Sequence, residues 1–397
     1  MASSNTSSAP NASTTGFPGD EFANNLFSDL APLLTLFGEQ VTKQFLSLSV
    51  GWADNFMLAM APLGILTVVV SSIRVTTDRY MKALVGRARE SRAMAEAELL
   101  SSTSDEVCEL FDGNQIVRVL GEPDTKEFVY RERSNSGGYG SEPMVWALQA
   151  LMGKGDRRII AQNSRNKLLG SEQDLIEGLL LSAPNIILNV PEAVAPRWEL
   201  WLFAWVGIIS QVAVLILGAL TTYHWKFEKG GAPIAQYGYP CTLAGTLTVT
   251  LGLLLCSHVI EGSTDECKLE LRDTRRRRQR ILRIQRACVV SEQHFSSYAL
   301  FNSETSNFLR TSRLNKSRNY NILAAIGSLL AIAGFIVQFV GLRALHWSAT
   351  IMQLGATIFM TAVRSYVRRG LAHDMEWEPI PEGEELGCKI QRAILFV

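Results

Sequence analysis

"GYPCTLAGTLTVTLGLLLCSHVI", residues 238–260, decides the fold. It contains no Asp, Glu, Lys or Arg. A helix needs roughly 20 apolar residues to cross a bilayer core, and a helix of a soluble core normally keeps a polar face. The stretch therefore reads as a transmembrane span. Four others read the same way: "NFMLAMAPLGILTVVVSSI" (55–73), "LWLFAWVGIISQVAVLILGA" (200–219), "ILAAIGSLLAIAGFIVQFVGL" (322–342), and "SATIMQLGATIFMTAV" from residue 348, which one further turn carries to 367. Pro62 and Gly64 predict a kink in the first of these, since membrane helices tolerate both residues. The five residues "RALHW" between the last two spans predict a tight helical hairpin. Trp52, Trp201, Trp347 and Tyr239 stand near span ends, where aromatic belts form.

Directly beyond residue 260 comes "RDTRRRRQRILRIQRACVV" (272–290), with eight arginines in its first fifteen residues. The chain as a whole is neutral, with 38 basic and 38 acidic residues. That balance excludes a dedicated nucleic-acid binder, whose affinity rests on excess positive charge. The arginines fit the positive-inside rule instead. With the N-terminus outside, only Lys43, Lys226, Lys229 and Arg343 lie in exterior segments, and every other Lys or Arg falls on the inner side. The run Arg275, Arg276, Arg277 and Arg278 then reads as a topology determinant. A second role for it is contact with anionic lipid headgroups, worth about 1 kcal/mol per basic residue near the surface.

The expected fold class is an α-helical polytopic membrane protein, with about five TM helices and a small cytosolic α+β unit. Residues 1–25 carry no Lys or Arg and are Ser/Thr/Asn-rich, which predicts a disordered exterior tail. Its sequons at Asn5 and Asn11 are candidate glycosylation sites. Residues 26–50 repeat Leu30, Leu33, Leu34, Phe37, Val41, Phe45 and Leu48 at helical spacing, which predicts an amphipathic helix lying in the outer interface. Residues 76–198 form a cytosolic α+β segment, 261–320 a cytosolic Arg-rich loop and 368–397 a cytosolic tail. Within 76–198, "EVCELFDGNQIVRVLG" predicts two strands around a turn at Asp112, Gly113 and Asn114. "KEFVYRE" predicts a third strand, "MVWALQALM" a short helix, and "PNIILNV" a further strand. "RILRIQRACVVSEQHF" in the Arg-rich loop also suits strand, so the two cytosolic segments are expected to fold together.

No chemistry stands out. The five histidines are not at metal-ligand spacing, no cysteine pair forms CxxC, and there is no HExxH, GxSxG or Walker pattern. The sequence therefore offers no catalytic, metal or cofactor site. The polar residues inside the spans, among them Thr246, Gln211, Gln338 and Gln353, suit helix–helix hydrogen bonding. Gly327, Ala331, Gly334 and Gly341, with Gly355 and Ala356, are expected to bring the last two helices close together.

Three long strings carry a resemblance: "SVGWADNFMLAMAPLGILTVVVSSIRV", "LVGRARESRAMAEAELLSSTSDEVCELFDGNQIVRVLG" and "GFIVQFVGLRALHWSATIMQLGATIFMTAVRSYVRRGLA". Over about Val50 to Ala372 the chain resembles an uncharacterised family of fungal multi-pass membrane proteins, some of them labelled ankyrin-repeat proteins. This chain carries no ankyrin repeat. The resemblance implies fungal origin and a polytopic membrane protein, and implies no activity.

The leading functional expectation is a non-enzymatic integral membrane protein of the secretory pathway or plasma membrane. Its cytosolic module would organise an unidentified cytosolic protein partner or the inner membrane surface. The lipid bilayer and anionic headgroups are its other expected partners, and nucleic acid is not one. The alternatives are a transporter or channel subunit, and an accessory membrane factor or enzyme of a fungal metabolite pathway.

Overall fold

The computed structural model describes residues 38–49, 51–60, 63–122, 125–131, 144–147, 159–163, 183–229, 232–271, 279–290, 292–301, 308–315 and 319–381. Four long helices form an antiparallel bundle: α6 (Arg197–Ala219), α7 (Gly238–Gly262), α8 (Asn321–Ala344) and α9 (Trp347–Val367). A π-helical turn, Leu220–His224, extends α6. Three of these are long and apolar enough to cross a membrane: Arg197–His224, Gly238–Gly262 and Asn321–Ala344. Their outer faces suit that environment. On α6, Trp198, Trp201, Trp205, Ile209 and Ile216 are exposed; on α8, Ile322, Leu329, Ile332, Phe335 and Phe339. Contiguous apolar surface of this kind is unfavourable against water.

The tightest packing is between α7 and α8. A Cβ added at Gly245 would stand 2.2 Å from the backbone N of Gln338, at Gly252 2.3 Å from that of Ala331, at Gly334 2.4 Å from that of Val249, and at Gly341 2.4 Å from that of Thr242. The backbones are therefore in direct contact. The contacts recur at 242, 245, 249, 252 and 256 on α7 and, in the opposite direction, at 341, 338, 334, 331 and 327 on α8. This alternation of three and four residues is the coiled-coil seam, here lined with small side chains. Gln338 Nε2 donates to Thr246 Oγ1 across it, at 3.0 Å. The expected closeness of the last two helices is thus corrected: the glycines of α8 serve α7 instead of α9, and Gly355 of α9 has nothing within 4 Å.

One end of the bundle is marked by Thr77 N donating to Asn321 Oδ1 at the start of α8, and by Arg369, just beyond α9, paired at 2.6 Å with Glu199 in the first turn of α6. The opposite end is marked by the Phe227–His346 and Tyr223–Tyr239 ring contacts. It also carries the small hairpin of β6 (Glu228–Lys229) and β7 (Ala232–Pro233), named after the strands that precede them in the chain.

All remaining strands belong to an α/β module at the first end. It begins with α4 (Arg79–Leu84) and α5 (Arg92–Leu99). The hairpin β1 (Val107–Phe111) and β2 (Ile116–Leu120) turns at Asp112, whose carboxylate accepts from Asn114 N and Gln115 N, as the sequence leads one to expect. Next come β3 (Thr125–Arg131), β4 (Met144–Ala147) and β5 (Ile159–Asn163). From the chain after α7 come β8 (Thr264–Leu271), β9 (Gln279–Gln285), β10 (Cys288–Val290), β11 (Gln293–Phe295), β12 (Tyr298–Phe301) and β13 (Phe308–Leu314). β14 (Glu376–Pro379) follows α9. The sheets run β14-β12-β9-β3-β4 and β13-β8-β5, with β10 and β11 as a separate hairpin. β3 pairs with β9 from Thr125 opposite Gln285 to Arg131 opposite Gln279, so the two expected cytosolic segments do fold together.

Side-chain amides stitch the module where strands do not. Gln285 accepts from Phe111 N and donates to Phe111 O, at 2.9 and 2.8 Å. Asn189 does the same to Arg310, at 2.8 Å each way. Glu109 Oε2 accepts from Ile186 N and Ile187 N, and Arg118 binds Glu109, Ala97 O and Ser102 O. These bonds correct the expected strand at "PNIILNV". Its backbone polar groups are met by side chains, and it forms a single 3₁₀ turn, Ile187–Asn189. The expected helix at "MVWALQALM" is also corrected: Met144–Ala147 is the edge strand β4, where Val and Trp suit a pleated surface.

The first expected span is two helices, α2 (Trp52–Ala59) and α3 (Ile65–Arg74), with Gly64 capping α3 at φ 69°. A preceding helix, α1, covers residues 38–46. It does not lie free on the opposite surface. Phe45 and Thr42 are buried, and Lys43 pairs with Glu98 of α5 at 2.5 Å.

Replacing Gly245 or Gly252 by Leu should force α7 and α8 apart and cost more than the 1–3 kcal/mol typical of overpacking. Gly355→Ala should instead be neutral or slightly stabilising. Thermal unfolding in detergent reads both, and a seam variant as stable as the parent would refute the close contact.

Candidate functional site

The expected site residues Asn5, Asn11 and Arg275, Arg276, Arg277 and Arg278 lie outside the described residues. The structure instead gathers a set of buried polar and charged side chains where α2 meets α6, α7 and α9. Asp54, one residue ahead of the expected span 55–73, and Arg364, within the last expected span, are both enclosed, with Asp54 0% and Arg364 1% exposed.

Arg368 stands at the centre. Its Nη2 donates to Asp54 Oδ1 at 3.1 Å and to Phe45 O at 3.3 Å, and its guanidinium lies 4.6 Å from the Phe45 ring centroid. One turn earlier on α9, Arg364 Nη2 donates to Leu58 O at 2.6 Å. On α7, Ser257 Oγ donates to Asn55 Oδ1 at 2.5 Å, and the His258 ring stacks on Trp52 at 4.7 Å. Deeper in the bundle, Gln211 Nε2 donates to Met60 O at 2.7 Å, and Gln353 Nε2 approaches Gln211 Oε1 at 3.4 Å. The amides of the spans therefore act as the sequence suggests, as hydrogen-bonding links. Gln211 reaches the backbone at the end of α2, where the helix leaves carbonyls without an intrahelical donor.

In the first strand after α7, Glu266 of β8 is largely enclosed, its side chain 12% exposed. Burial pushes its carboxyl up to about 7; Arg310 opposes the rise, Asp54 adds to it, Arg197 opposes it and Glu261 adds to it. Arg310 is 3.8 Å away. A second ionic group is built around Arg74. Its guanidinium binds Glu90, with Nη2 to Oε1 at 2.6 Å, and also Glu98. Burial would raise Glu98, but hydrogen bonds from Arg74 and Lys43 hold it down at about 2. Through Lys43, Arg74 and Glu98 this group ties α1, α3 and α5 together. Asp54 could be read from the sequence only as a polar residue beside a span; its partner lies 314 residues further on.

Among the described residues no group of three or more His, Cys, Asp or Glu is placed to hold a metal ion. Among the described residues Cys108, Cys241, Cys256 and Cys267 carry free thiols. Compared with family models, with curated proteins and with solved structures, the chain matches none.

Asp54→Asn should leave Arg368 enclosed without a countercharge and cost about 3–5 kcal/mol, much of it recovered on adding Arg368→Gln. Unfolding in detergent measures this, and a neutral single variant would contradict it. Glu266 supplies a pH test. Its folded carboxyl keeps a proton that the unfolded chain releases, so stability should fall as pH rises from about 4.5 to about 7 and level off above. Glu266→Gln should flatten the profile in that window, and an unchanged slope would show that another group governs it.

Proposed function

We propose that the chain is a polytopic integral membrane protein whose α/β module organises a protein partner or the lipid surface on the cytosolic side. The observation carrying this is the return of three separate chain segments to one end. Residues before α6, between α7 and α8, and after α9 all contribute strands to the module, while the exposed faces of α6 and α8 are apolar. Such an arrangement gives a folded platform fixed to a membrane anchor. In this reading α6 to α9 are four of the expected crossings and the N-terminus is exterior. Asn5 and Asn11 are then available for glycosylation, and the basic run Arg275–Arg278 faces anionic headgroups. The resemblance to fungal multi-pass proteins supports the same class.

The buried Asp54, Arg364 and Arg368 favour a second reading, a transporter or channel subunit, because charge enclosed among membrane helices is costly and commonly functional. Here each makes direct bonds that tie α2 to α9, which suits a structural role better than a relay.

A proximity-labelling enzyme fused after Val397 separates the readings. It should mark a reproducible set of proteins in the native membrane, and Arg118→Ala, which unties the β1–β2 hairpin from α5, should lose that set while the chain still inserts. Purified protein in proteoliposomes should show no proton- or sodium-driven flux. Flux that Asp54→Asn abolishes would overturn the platform in favour of the transporter.

A further inference from the structure

We infer that Trp52–Arg74 is a re-entrant hairpin: it enters and leaves the bilayer on the module side and does not cross. The inference rests on the membrane reading above and adds to it the path of one segment.

The bundle helices serve as a depth scale, because their residues are spaced about 1.5 Å apart along the axis. At the start of α2, Trp52 stacks on His258, near the module end of α7, and Asp54 bonds Arg368, just past the module end of α9. One turn further, Leu58 O is held by Arg364, itself one turn deeper on α9. Met60 O is held by Gln211, which lies fourteen residues into α6, about 21 Å from its module end. The segment therefore descends from Trp52 to Met60. It then reverses at Gly64, whose left-handed φ of 69° a side chain would strain, and where a Cβ would stand 2.5 Å from Thr42 Oγ1. α3 rises again: Ser72 neighbours Cys256, which in turn contacts Ser328 in the first turns of α8. At the top Arg74 binds Glu90 and Glu98, and Thr77 bonds Asn321 at the first residue of α8.

The lengths agree. α2 has 8 residues and α3 has 10. Those lengths span about 12 and 15 Å, against a hydrocarbon core of about 30 Å. Irregular backbone at that depth is stable only inside protein, and the hairpin is enclosed: α2 packs on α6 and α7, α3 on α7 and α8. Met57, Leu58 and Val68 are buried. At Gly64 the expected kink is therefore a reversal. α1 runs beside it, with Gly38 against Leu63 at the tip and Lys43 beside Glu98 at the module end.

Sidedness of thiol modification decides it. Ser47→Cys, Thr77→Cys, Val289→Cys in the module and Tyr237→Cys at the far end would be made singly in the full chain. A membrane-impermeant maleimide is added to sealed vesicles and then to opened ones, and the modified peptide is identified by mass, so the native cysteines stay. Ser47→Cys and Thr77→Cys should react from the side that modifies Val289→Cys, and Tyr237→Cys from the other. Ser47→Cys reacting with Tyr237→Cys would establish a full crossing and overturn the hairpin. Should Ser47→Cys fail to insert, Gln44→Cys, exposed on α1, gives the same comparison. Failure of the membrane reading looks different: alkaline carbonate would then extract the parent chain, and no position would show sidedness.

Discussion

The backbone contact between α7 and α8 is the constraint on which the rest depends. Gly245, Gly252, Gly334 and Gly341 leave no room for a side chain, so the two helices are fixed in register along their whole length. That register sets where the ends of α7 and α8 fall, and so where β8 and β13 begin. β8 follows α7 after one residue, and β13 ends a few residues before α8. The pairing of Thr264 with Leu314 continues the antiparallel path of the helices into the sheet. Small residues at the seam gain dispersion contacts over the full helix face, which apolar surroundings alone would not provide.

The ionic layer where bundle and module meet has a different physical character. Buried pairs such as Asp54–Arg368 contribute little net stability over an apolar packing of the same shape, because desolvation offsets the attraction. Their effect is specificity. Arginines enclosed at the end of α9 accept few geometries: Arg368 holds the Asp54 carboxylate of α2 and the Phe45 carbonyl of α1, and Arg364 holds the Leu58 carbonyl of α2. The module shows the same preference for polar fixing in Gln285, Asn189 and Glu109, whose side chains complete backbone hydrogen bonds that no strand supplies.

Much of the local structure was legible. The apolar runs 200–219, 238–260 and 322–342 became long helices because a length of uninterrupted apolar residues leaves the backbone no better way to satisfy its polar groups. The Asp112-Gly113-Asn114 turn was legible because the Asp carboxylate caps the turn locally. The misreadings share one cause. "MVWALQALM" and "PNIILNV" have mixed local preference, and distant partners settled them: β3 for the first, Glu109 and β13 for the second. β14 was missed altogether, since "EWEP" becomes a strand only beside β12. In the candidate site, the in-span amides were recognisable, but the pairing of Asp54 with Arg368 was not.

The sequence by itself determined which segments are apolar, where basic charge gathers, and where turns are obligatory, because these follow from composition and near-neighbour chemistry. Only the tertiary structure decided that α8 packs its glycines on α7, that one module is assembled from three parts of the chain, and that the path from α2 to α3 turns back at Gly64. A kinked crossing and a hairpin have the same hydropathy. What separates them is whether the carbonyls of Leu58 and Met60 meet Arg364 and Gln211, and those donors reside on other helices.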